Sequence, residues 1–152
     1  MSTAEPVVER IWLDRISPVH EPLAELWEQR RADRVLPARR DFDTMELRPW
    51  IGGLHLVEVL PEGDYRWRVY AGKVGEVYNR EWTGKRFSEV PHRNRDLLFG
   101  WFDDCVASRR VMEHTSVYDN EGRSIHWTRL FLPLGDDGAT VDRVFVHSHR
   151  LK

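Results

Sequence analysis

Apolar positions along this chain change their period twice, and each change marks an element. From Glu21 to Ala32, Leu23, Leu26 and Trp27 recur at helical spacing, and Pro22 is tolerated because a first turn has no donor to lose. The spacing predicts a short amphipathic helix whose polar side carries Glu25, Glu28, Arg30 and Arg31. Leu36 to Asp43 resists a regular helix through Pro37 and its alternating charge, and Thr44 to Trp50 offers one or two helical turns. After Gly53 the period becomes two: strands at 54–60 and 65–71 flank the turn cluster Pro61 to Asp64, which predicts a hairpin. Residues 72–90 read as short turns and loops. Asn94 to Ser108 is the strongest helix, with Leu97, Leu98, Trp101, Phe102, Cys105 and Val106 in a wide stripe. Strands at 111–119, 123–134 and 140–149 follow, joined by turns at Asp119 to Gly122 and Gly135 to Gly138, so neighbours pair antiparallel.

Two hairpin groups separated by helices make an α+β order. A five-stranded antiparallel sheet with helices on one face buries both groups, and the amphipathic helix precedes it. Residues 1–20 are read as a partly ordered arm and 21–152 as a single domain.

Length and composition narrow the function. A chain of 152 residues holds one core, and 7 Trp, 6 Phe and 4 Tyr argue for a buried one. Lys and Arg number 23 against 25 Asp and Glu, so no net field draws the chain to nucleic acid or to an anionic membrane. No apolar run reaches the length of a membrane span, and Met1 to Glu9 lacks the order of a signal peptide. The single Cys105 excludes an internal disulfide and a multi-cysteine zinc site, which fits a reducing compartment and makes the cytoplasm the expected location.

Five short pieces then stand in a telling order: Leu36-Pro37-Ala38-Arg39 with Asp41, Asp43 and Leu47; Leu54 to Val59; Tyr65 to Gly72; Glu81 to Lys85 (EWTGK); and Leu130 to Leu134 (LFLPL). From about Leu23 to His149 the chain resembles a bacterial family of stand-alone PAS-type domains that was formerly a domain of unknown function. It departs from that pattern at Ala71 and Lys73 around Gly72 and at Trp82. The resemblance implies a PAS fold acting through ligand or partner binding, and supplies no catalytic residue. With no output domain following, a signal would pass by protein binding or by self-association.

Chemical motifs are sparse. His147 and His149 share a strand face, but two ligands do not make a metal site. His92, His114 and His126 are single histidines of the kind that could ligate haem, and each reads more simply as a hydrogen-bonding residue. Cys105 lies too late in the main helix for flavin adduct chemistry and reads as a small core residue. Ser116 or Ser124 with His114 or His126 and Asp119 lacks a nucleophile elbow. Asp103 and Asp104 point about 100° apart on their helix, and Gly72-x-x-Gly75 lacks the third glycine of a dinucleotide loop. No catalytic residue, metal, haem or flavin is expected.

The remaining signal is aromatic. Trp67, Val69, Phe87, Leu98, Trp101, Phe102, Trp127 and Phe131 come from elements that bracket a PAS cavity, so they are candidates to line a pocket for an apolar or planar small ligand; the alternative is a filled core. Leu23, Leu26 and Trp27 are candidate homodimer contacts. The expected function is a non-catalytic sensory or regulatory module. The alternative is a small α+β hydrolase or isomerase with a buried His or carboxylate in the sheet pocket. A pocket holding such a group with a strongly shifted pKa would favour the enzyme; a purely apolar pocket, or none, would favour the module.

Overall fold

A computed structural model describes residues 7–9, 16–91, 95–120 and 122–151; His92 and most of the arm lie outside the described residues. The strands are β1 (Val7–Glu9), β2 (Leu54–Val59), β3 (Tyr65–Val69), β4 (Met112–Asn120), β5 (Arg123–Leu134) and β6 (Arg143–Arg150), and the helices are α1 (Glu21–Arg31), α2 (Gly72–Tyr78) and α3 (Arg95–Ser108). All pairings are antiparallel, in the order β1-β4-β5-β6-β2-β3. The five expected strands are joined by β2 pairing with β6, and β1 of the arm adds a sixth on β4.

The sheet is covered on both faces, where the sequence reading placed its helices on one. Side chains alternate along a strand, so Trp127, Arg129 and Phe131 of β5 share an inner face with their partners Ser116, His114 and Met112 of β4. Helix α3 lies over this face: the Phe102 ring meets Phe131 at 5.2 Å, and the Tyr65 hydroxyl donates to Asp103 Oδ1 at 2.5 Å. Leu130, Leu132 and Leu134 face the other way, and the outer face that they build is roofed by α1 and the 36–50 connector, with Phe42 edge-on to Phe145 at 5.7 Å.

Helix α1 therefore has its cover. Leu23 and Trp27 are buried, and the Trp27 indole N–H donates to the Pro133 carbonyl at 2.7 Å. These two residues are not dimer contacts, because their apolar side fills the chain's own outer face; Leu26 is partly buried against the same core. Just ahead of α1, His20 is fully buried and its Nδ1 donates to Glu113 Oε2 at 2.6 Å, while Ser17 bonds the same carboxylate through its N–H and its hydroxyl. Burial opposes the charge on Glu113, but the bonds from His20 and Ser17 prevail and lower its pKa to about 2. This clamp ties the start of α1 to β4.

Candidate functional site

One break in the alternation shapes the inner face. Val57 pairs with Trp67 and Leu56 with Val69, so β3 carries one extra residue between the two pairs. The bulge turns Val69 outward, where it is 48% exposed, and brings Tyr70 inward beside Trp67 at 5.6 Å between ring centroids. Val69 is thus no pocket residue, although strict alternation from Trp67 made it one.

Between this face and helices α2 and α3 lies a cavity of about 60 Å³, well above the ~10–15 Å³ that one water needs. Of the sequence-derived candidates, Trp67, Leu98, Trp101, Phe102 and Phe131 line it. Phe87 and Trp127 do not. Phe87 is fully buried behind Trp67, 4.3 Å between ring centroids, and Trp127 stands behind Tyr78, donating its indole N–H to the Tyr78 hydroxyl at 2.6 Å. Both brace the wall.

The polar lining was not foreseen in the sequence. It comprises His55, Tyr70, Tyr78, Arg80, Ser116, Tyr118 and Arg129. His55 Nδ1 accepts the Ala71 N–H at 2.8 Å, so a neutral ring carries its proton on Nε2 and can only donate from there. Burial, with repulsion from Arg129, lowers its pKa to about 3. Arg129 donates to Ser116 Oγ at 2.8 Å and has its guanidinium 5.3 Å from the Trp127 ring. Burial pulls the Arg129 pKa below the usual guanidinium value, with Arg80 contributing. Arg80 donates to the Tyr70 hydroxyl at 2.7 Å and stacks over Trp82 at 3.9 Å. Gly75 holds Arg80 near: the Gly75 carbonyl accepts the Arg80 N–H, and a Cβ at 75 would stand 2.5 Å from the Arg80 carbonyl oxygen.

Aromatic walls and a sheet floor enclose a small recess, and the comparison with known families decides what carries it. A family model described as PAS domain matches residues 16–146. The chain belongs to the PAS domain family. Comparisons with curated proteins and with solved structures gave no match. The match covers the sheet from β2 to the first half of β6 and all three helices, so the cavity lies inside the PAS domain.

The other chemical candidates have defined places. His147 points to the outer face, where its Nδ1 lies 2.8 Å from His20 Nε2; burial and the neighbouring histidines lower its pKa to about 3. The His149 ring lies 6.4 Å from His20. Among the described residues no three His, Cys, Asp or Glu side chains gather to hold a metal ion. Cys105 is fully buried, and burial raises its pKa. The Ser116 hydroxyl is engaged by Arg129 rather than by a histidine. His114 is buried and stacked on Trp101 at 5.4 Å. Among the described residues no helix is long and apolar enough to cross a membrane.

Proposed function

We propose that this PAS domain is a non-catalytic sensory or regulatory module that binds a small molecule in the cavity between its sheet and helices α2 and α3. The observation that carries the reading is the recess itself: aromatic walls converge from β3, α3 and β5, and a few polar groups are set among them, which is the make-up of a ligand pocket.

The pocket is neither purely apolar nor empty of titratable groups, so the enzyme alternative needs an answer. His55 has the strongly shifted pKa set out above as the mark of an enzyme, but its one free lone pair is taken by the Ala71 N–H. A ring that can only donate into the cavity cannot abstract a proton there. Among the described residues no Asp or Glu lines the cavity to take its place. The module reading is therefore preferred.

Output is proposed to run through the sheet to a protein partner or to a second copy. Arg129 faces the cavity, while the next residue, Leu130, pairs with His147 beneath the start of α1. A change in β5 that reseats Arg129 must also move Leu130 on the far face. Because Leu23 and Trp27 are buried, contact with another chain would use other surfaces.

Native mass spectrometry of freshly purified protein, beside a Leu98→Trp variant that fills the cavity, tests the reading. A small molecule retained by the wild type and absent from the folded variant is the expected result. Equal retention in both, or none in either, overturns it.

A further inference from the structure

The charges that line the cavity do not balance. Arg80 and Arg129 both line it, and among the described residues no Asp or Glu does. Arg129 bonds Ser116 and lies near the Trp127 ring, both of them neutral, and no carboxylate forms an ion pair with Arg80 or Arg129 among the described residues. Both arginines are half-buried, and a charge partly withdrawn from water is costly unless an opposite charge meets it. Arg80 has a local account, since its planar group stacks over Trp82 and Tyr78. Arg129 has less: a guanidinium carries five N–H donors in a fixed fork, and one hydroxyl cannot neutralise it.

The other polar groups point the same way. His55 offers an N–H from Nε2 and no lone pair. The buried indole N–H of Trp101, which also lines the cavity, has no hydrogen-bond partner. Donors therefore outnumber acceptors in a cavity whose remaining walls are flat and apolar. We infer that the pocket takes a small organic anion, a carboxylate on a flat apolar body, received by the Arg129 guanidinium with the aromatic walls against its body. The inference rests on the reading of this cavity as a ligand site and adds the class of ligand. Arg129 sits mid-strand between β4 and β6, so the fork is held by a rigid floor and needs little ordering when the carboxylate arrives.

Titration calorimetry of the full chain with benzoate and trans-cinnamate, beside benzamide and trans-cinnamamide, tests this. The acids match the amides in shape and differ in charge. The acids are expected to bind at least about tenfold more tightly, since charge-assisted bonds are roughly twice as strong as neutral ones. In Arg129→Gln the acid and amide of each pair should come within about threefold, while Arg40→Gln, at an exposed arginine, keeps the difference. The wild-type ratio needs no variant, so a misfolded Arg129→Gln leaves the test standing. Amides that bind as well as the acids overturn the anion and leave the ligand site; a preference that survives in folded Arg129→Gln overturns the role of Arg129. If neither series binds, the anion and the pocket fall together.

Discussion

Two tryptophans of equal burial give a clean measure of one hydrogen bond in this fold. Trp27 and Trp101 are each 6% exposed, one under α1 on the outer face and the other on α3 over the inner face. Trp27 donates its indole N–H to the Pro133 carbonyl, and the Trp101 N–H has no partner. Replacing either by Phe removes a similar share of buried ring, about 1–2 kcal/mol of transfer and cavity cost. Trp27→Phe also breaks a bond and leaves a buried carbonyl short of its donor, about 1–2 kcal/mol more. Trp101→Phe removes an unpaired buried donor, which offsets part of its cost. Trp27→Phe should therefore be the more destabilising by at least about 1 kcal/mol. Urea unfolding of both variants and the wild type, with equal m-values, measures the difference. Equal costs, or a larger cost for Trp101→Phe, would refute the assignment of bonded and unbonded indoles to the two faces.

The bulge in β3 can be tested by charge: Val69→Lys, on the outward side, should change stability by less than about 0.5 kcal/mol, whereas Trp67→Ala should cost ~3–5 kcal/mol, both read from thermal melts. Acid should destabilise the domain. His55 and His147 have folded pKa values lowered to about 3, so the unfolded chain takes up protons below its ordinary value near 6.5 while the folded one does not. Stability should fall as pH drops from about 6.5 towards 3, by up to ~1.4 kcal/mol per pH unit for each histidine. Glu113 acts in the same direction at lower pH: its contribution is complete above the unfolded value of 4.5 and is lost as pH falls towards 2. Urea midpoints at pH 7.5, 6 and 5 should decline, and more gently in His55→Gln; a midpoint that is flat or rises on acidification contradicts the buried neutral rings.

Much of the fold was legible because period carries it. The Leu97-Trp101-Cys105 stripe marks α3, and its boundaries in the structure differ by one residue from those read in the sequence. The last three strands announce themselves by Gly122 and Gly138, both at positive φ in the turns that join them. Two things were not legible. The first is which face α1 covers: Leu23 and Trp27 show only that a helix has an apolar side, and the hydrogen bond to Pro133 depends on a contact more than a hundred residues away. The second is the bulge between Trp67 and Val69, since nothing in YRWRV breaks alternation and the extra residue is set by pairing with β2.

The polar half of the pocket falls between these cases. Arg129 stands two residues from Trp127 and two from Phe131, both named as pocket candidates, so alternation alone places it on their face. An arginine in a strand usually marks the solvated side, as Arg66 and Arg68 do next to Trp67. Those two do lie on the far side from Trp67, within reach of Glu58. The alternation that puts Arg66 and Arg68 out of register with Trp67 puts Arg129 in register with Trp127. A charge in phase with the buried aromatics of its own strand is thus a signal of its own. Either it is paired by something that sequence does not show, or it waits for a partner that the chain does not supply. Arg80 carried no such signal, since it comes from a loop. What brings it to the cavity is the close return of the chain past Gly75 after the left-handed Asn79, a path that becomes readable only once α2 is known to end there.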